Sequence, residues 1–245
     1  MPPAPRQALP GVFVTGTGTG VGKTFVGAAL AALLRERDVD VGVMKPAETG
    51  VEEPTAPCYS VDAARLAAAA GVGDPPELVV PYKLRDPLAP SVAAGREGRE
   101  VSVEVVMAAY HELRRRHAFL LVEGAGGIAV PFGGGVDMAG LAEAMHLPLL
   151  VVAPTGLGTI NHAVLTIEYA RARGLVVLGT LLNLRADPPD LAERTNPAVL
   201  ARLTGLPVYG PIDELRPGPP DDRAAVEAVR SSCPAFVEAL VEGKG

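Results

Sequence analysis

"GTGTGVGKT", Gly16 to Thr24, places a glycine at every second position and then ends on a lysine and a threonine. Four glycines so closely spaced add backbone entropy that folding must overcome, and they offer no side chains to pack in return. The stretch follows the apolar run "VFVTG" and precedes a helical pattern opening at Lys23, so it lies at a strand-to-helix junction. That context suits a phosphate group: backbone N–H groups point inward, a helix N-terminus stands behind them, and the lysine reaches the outer phosphates. Thr24 adds a hydroxyl of the kind that ligates Mg²⁺ in P-loops. Gly16 lies six residues before Gly22 where the usual P-loop has five, which makes this a P-loop with one extra residue. The dinucleotide pattern G-x-G-x-x-G fits these glycines in neither register, which argues against NAD.

Outward from this turn, short Val- and Leu-rich runs alternate with helical patterns. "VFVTG", "VDVGVMKP", "ELVVPY", "AFLLVEGAGG", "LPLLVVAP", "LVVLGTLLN" and "PVYGPI" read as strands buried on both faces. Helices are expected over 23–37, 62–70, 102–116, 137–145, 161–173 and 190–204, and over 222–242 with an interruption at Pro234. This alternation predicts an α/β fold, P-loop NTPase-like, with a mostly parallel central sheet of about seven strands and helices on both faces. Ligands of such folds gather beyond the carboxyl ends of the strands. With 245 residues, no internal repeat and no linker-like composition, residues 1–245 read as a single domain. The proline-rich residues 1–10 read as a flexible arm, and those at 52–57 and 216–220 as loops.

A net charge of -6 gives no general attraction to nucleic acid or an anionic membrane, so phosphate binding must be local. Two cysteines, Cys58 and Cys233, are too few for a disulfide framework or a zinc site and suit a reduced cytoplasm. The N-terminal stretch "MPPAPRQALPG" lacks the apolar run of a signal peptide, and "LPLLVVAP" is too short to span a bilayer. A cytoplasmic protein with no membrane partner is the expectation. The basic residues are mostly arginine, with lysine only at 23, 45, 83 and 244.

Two acids qualify by position as further Mg²⁺ ligands, since the ion needs hard oxygen donors. Glu123 ends a buried strand, where an unpartnered carboxylate is costly, and a glycine-rich turn follows it. Asp62 begins a helix, so an N-cap explains it more readily than ligation. Lys45, in "VMKPAETG", is either a snorkelling surface lysine or a cation placed at the ligand-facing end of its strand. His162 reads as structural.

Taken together, "FVTGTGTGVGKT", "MKPAETG", "DAARLA", "PYKLRDPLAPSVAA", "LLVEGAGG", "GTINHAVLTIEYARARGL" and "LLN" resemble the dethiobiotin synthetases in content and order over most of the chain. The resemblance implies an ATP- and Mg²⁺-dependent ligase of biotin synthesis. Its substrates would be ATP, CO₂ and 7,8-diaminononanoate, and its assembly a homodimer with the substrate site at the interface. It implies catalytic roles for Lys23 and Lys45, and Mg²⁺ ligation by Thr24, Asp62 and Glu123. Nucleotide contacts would come from Gly20, Val21, Gly22, Lys23, Thr24 and Phe25, from Asp62, and from Glu123, Gly124, Ala125 and Gly126. The base would be met by Asn183 and Leu184 and by Asp213, Glu214 and Leu215. Thr49 would touch the substrate, and Gly158, Thr159, Ile160 and Asn161 would receive its carboxylate. The rival family, partner-switching ATPases of the septum-positioning or partitioning type, carries a lysine five positions before the P-loop lysine. Gly18 stands there.

Overall fold

Along "GVFVTG" the side chains alternate between the two faces of a strand, yet none is exposed. Val12 and Val14 enter one apolar core while Phe13 enters the other, and all three are fully buried. The computed structural model, which describes residues 9–183, 188–212 and 223–242, repeats this double burial across a central sheet. Its strands are β1 (Gly11–Gly16), β2 (Val41–Met44), β5 (Phe119–Gly127), β8 (Leu149–Pro154), β9 (Val177–Asn183) and β10 (Val208–Ile212). All six run parallel in the order β10-β9-β8-β1-β5-β2.

The helices between them cover both faces. On the Val12 side lie α1 (Lys23–Arg35), α2 (Val61–Ala70), α9 (Arg223–Ser232) and α10 (Pro234–Glu242), which bring Leu30, Leu34, Leu66, Val229 and Phe236 into the core. On the Phe13 side α5 (Val103–Arg116), α6 (Met138–Met145) and α7 (Thr159–Ala172) contribute Leu113, Leu141 and Ile167. A further helix, α8 (Leu191–Thr204), packs beside α7 and β10. The expected helices are all present, with α9 and α10 parting at Pro234.

The run "ELVVPY" departs from expectation. Pro75 and Pro76 are pre-set for a helical start, and Pro76–Val79 forms a single helical turn, α3, whose Val79 is buried. The strand begins later, as β4 (Tyr82–Leu84), and pairs outside the main sheet with β3 (Ala47–Thr49). This leaves six strands in the central sheet. A short helix α4 (Pro90–Arg96) and the hairpin of β6 (Pro131–Gly133) and β7 (Val136–Asp137) complete the described elements. Of the N-terminal arm, residues 1–8 lie outside the described residues. Leu9 packs on the core, and the Pro10 carbonyl accepts from Leu120 N at 3.1 Å and Arg114 Nη1 at 2.9 Å.

Strand β1 stands where the strand order turns from one edge toward the other, so the loop after it opens on the crevice that such sheets offer to ligands. Helices α5, α6 and α8 are capped by the side chains of Ser102, Asp137 and Asp190. In contrast, α1 and α7 start from left-handed glycines, Gly22 (φ 96°) and Gly158 (φ 97°), with no side chain on their first N–H groups. Two helix N-termini at the carboxyl edge of the sheet are thus left open to an anion.

Candidate functional site

A cavity of about 540 Å³ lies over the P-loop at the carboxyl edge of β1 and β5. Its floor is the start of α1, and its walls come from the segment after β2, the N-terminal turn of α2, and the end of β5. Gly22 cannot be replaced quietly at this turn. Its φ is positive, and a Cβ would stand 2.3 Å from Asn183 Nδ2.

The polar side chains expected to act together do meet here. Lys23 is buried and folds back over the loop, donating from Nζ to the Gly18 carbonyl at 2.9 Å. Burial pulls its pKa down to about 8, with the Glu123 charge opposing that shift. Lys45 Nζ donates to Asp62 Oδ2 at 2.9 Å and to Glu123 Oε1, and the Thr24 hydroxyl donates to the same Glu123 oxygen at 2.9 Å. Burial works to lower the Lys45 pKa, but Glu123 and Asp62 outweigh it and hold the ammonium above the usual lysine range. Burial also works to raise the Asp62 pKa, and Lys45 overrides it, keeping that carboxyl below its ordinary value. Glu123 is fully buried, and this pushes its carboxyl up against the pull of Lys45.

Lys45 is therefore no surface lysine, and Asp62 is no N-cap. Ser60 holds the N-cap position of α2, while Asp62 is its second helical residue and turns its carboxylate to Lys45. Glu123 Oε2 is buried without a hydrogen-bond partner, an expensive condition for a carboxylate oxygen. Thr24, Asp62 and that oxygen make an all-oxygen donor set that fits Mg²⁺, which takes one or two carboxylates and completes its shell with phosphate oxygens and water. Among the described residues no group of three or more His, Cys, Asp or Glu could hold a metal ion alone.

Other expected residues are placed unevenly. Gly20, Phe25, Thr49, Ala125 and Gly126 line the same cavity. Gly124 faces the opposite core, where a Cβ would meet Phe13 at 2.9 Å, and Val21 is buried beneath the loop. Asn183 donates from Nδ2 to the Val21 carbonyl at 3.1 Å, bracing the P-loop from the end of β9. Gly158, Thr159, Ile160 and Asn161 start α7 after β8 and are not part of this cavity. Thr159 Oγ1 is buried there with no partner. Leu184, Asp213, Glu214 and Leu215 lie outside the described residues. Sequence reading passed over Glu48, a buried acid three positions after Lys45 that accepts from the backbone of α2. No local signal marked it, since Ala47 beside it is buried as well and strand alternation places the two on opposite faces.

The AAA domain family matches residues 10–217. The chain is 48% identical over 194 residues to the ATP-dependent dethiobiotin synthetase BioD of Anaeromyxobacter sp. (strain Fw109-5), covering 79% of this chain and 85% of that one. It is 43% identical over 196 residues to the enzyme of the same name from Bacillus licheniformis, covering 79% and 81%. In fold it is like the MinC:MinD cell division protein complex of Aquifex aeolicus, with a TM-score of 0.58, 13% identity and 96% of each chain covered. It is also like a ParA family ATPase from Chlorobium tepidum, with a TM-score of 0.53, 16% identity and 96% and 98% covered. At such identities the last two speak for the fold alone. A long P-loop, the Asp62 and Glu123 carboxylates beside it and the sequence identity over most of both chains agree: the chain belongs to the dethiobiotin synthetase family.

Proposed function

We propose that this protein is an ATP- and Mg²⁺-dependent ligase that closes the urea ring of dethiobiotin from 7,8-diaminononanoate and CO₂. One amine of the diamine takes up CO₂ as a carbamate and releases a proton. A carbamate oxygen attacks the γ-phosphorus of ATP, ADP leaves, and a carbamic-phosphoric anhydride remains. The second amine then attacks the carbonyl carbon and expels phosphate. Phosphoryl transfer asks the protein mainly for position and charge neutralisation. Mg²⁺ would neutralise the phosphate oxygens from Thr24, Asp62 and Glu123. Lys23 would leave the Gly18 carbonyl for the transferring phosphoryl group, and Lys45, charged and fixed across the cavity, would hold the carbamate. Thr49 would contact the substrate on the Lys45 side, and Asn183 with Leu184, Asp213, Glu214 and Leu215 would serve the base.

The observation that carries this reading is the joining of Lys45, Asp62, Glu123 and Thr24 beside the P-loop lysine. The carboxylate of the diamine would sit at the open N-terminus of α7, on Gly158, Thr159, Ile160 and Asn161, belonging to a second copy in a homodimer. Supporting this, α7 and its approach expose apolar side chains, Leu157 at 93% and Leu165 at 60%. No helix among the described residues is long and apolar enough to cross a membrane, and we place the enzyme in the cytoplasm, working as one domain. A partner-switching ATPase rests on fold likeness alone, and its extra lysine is replaced by Gly18. Incubation with diamine, bicarbonate, Mg²⁺ and ATP, followed by mass spectrometry, tests the reading. The expected product is the cyclic urea with equimolar ADP and phosphate. ATP turnover without a urea product refutes it.

A further inference from the structure

Helix α2 lacks a cap of its own. Ser60 stands at its N-cap, yet no hydrogen bond runs from the Ser60 side chain to the first turn. The acceptor comes instead from another element. Glu48 Oε1 accepts from Asp62 N at 3.0 Å, and Glu48 Oε2 accepts from Ala63 N at 3.2 Å. The Ser60 hydroxyl, which would ordinarily accept in this place, donates to Glu48 Oε2. The Glu48 carboxyl oxygens thus sit on the N-terminal turn, where backbone dipoles favour an acceptor, and they are buried. Glu48 belongs to β3, whose neighbour in register on β4 is Lys83. Lys83 Nζ donates to the carbonyls of Ala56 and, at 3.0 Å, of Cys58. One strand pair therefore fastens residues 56–63 at two places, with its ammonium on their carbonyls and its carboxylate on their amides.

The fastened turn is the one that carries Asp62. We infer that Glu48, assisted by Lys83, is a positioning residue for the metal site: it fixes the first turn of α2 so that the Asp62 carboxylate stands opposite Glu123. The inference rests on the proposed assignment of Asp62 to Mg²⁺. Glu48 itself makes no use of the ion; its hydrogen bonds are spent on the helix. Partners that orient a metal ligand from behind typically change metal affinity about 10- to 100-fold when removed.

The test is a Mg²⁺ titration of the binding of a fluorescent, non-hydrolysable ATP analogue, with no diamine present. For Glu48→Ala the Mg²⁺ midpoint is expected to rise about 10-fold or more, while analogue affinity without Mg²⁺ stays near that of the parent. Lys83→Met is expected to move the midpoint the same way by less. In an Asp62→Asn background Glu48→Ala should add nothing. A lowered melting temperature with an unchanged Mg²⁺ midpoint would make Glu48 merely structural and overturn the inference. So would a loss that adds in full to that of Asp62→Asn. An Asp62→Asn protein with the parent's midpoint instead removes the metal assignment, and the inference with it. If Glu48→Ala does not fold, Glu48→Gln, which keeps the volume and one acceptor oxygen, is read by the same criterion.

Discussion

Lys45 and Lys23 are both buried cations under the influence of Glu123 and Asp62, but they have opposite settings. Lys45 lies between two acids and keeps its proton, whereas Lys23 rests on a carbonyl and holds its proton more weakly. Replacing Lys45 by Gln removes the charge proposed for the carbamate. Loss of one such fixed donor costs about 10²–10³ in kcat, so urea formation should nearly vanish while ATP-analogue binding stays measurable by calorimetry. The same variant leaves Asp62 and Glu123 without their counter-ion, and a fall in unfolding free energy of about 3 kcal/mol should appear in urea denaturation. For Lys23 the prediction concerns pH. Its pKa is lowered to about 8 in the free protein, so the amine is charged below that value and neutral above it. A triphosphate needs the charged form. Nucleotide affinity should therefore be flat below about pH 8 and fall as pH rises through it. Lys23→Arg, whose guanidinium keeps its proton, should bind more weakly and show no such fall.

Among the elements, β2 and β5 are tied together at their amino ends, far from the site, by a histidine held between two acids. His117 lies between α5 and β5, with Nδ1 at 2.8 Å from Asp40 and Nε2 at 2.8 Å from Asp74. Arg116 Nη1 also donates to Asp74 at 3.2 Å. Gly42 is required beneath the ring, since a Cβ there would approach His117 Cδ2 to 2.4 Å. Burial works to lower the imidazole pKa, and the two carboxylates outweigh it, so the pKa is raised above the usual histidine range. A raised folded-state pKa gives stability that is fully present below the unfolded value and lost as pH rises through the folded one. The melting temperature of the protein should thus exceed that of His117→Gln by most below about pH 6.5, where the imidazole is charged. The gap should narrow at higher pH. A gap independent of pH would mean that the ring acts by packing alone.

For the whole molecule, the proposed site is divided. Lys23, Lys45, Asp62 and Glu123 share one cavity, while Gly158 to Asn161 begin a helix outside it. If α7 of a second copy completes the site, Leu157→Glu with Leu165→Glu should yield a monomer by sedimentation and abolish urea formation without removing ATP binding. Mixing Lys45→Gln with Asn161→Ala protein should restore activity toward a quarter of the parent's, because one mixed dimer site carries neither defect. What the sequence by itself determined was every feature that rests on neighbours along the chain. The phosphate turn follows from glycines between a strand and a helix, and the parallel sheet from unbroken apolar runs spaced by helices. Local backbone preference and side-chain period are enough for both. The run "ELVVPY" misled because Pro75 and Pro76 open a helical turn before the strand, a start signal that outweighs the apolar content. Only the tertiary structure decided which charges meet: Lys45 with Asp62 and Glu123, and Glu48 with the amides of α2. These groups lie 14 to 78 positions apart, and no spacing rule reaches across such separations. Their pairing is fixed by burial, which leaves an ionised group no partner except the one that the packing of β3, β5 and α2 brings to it.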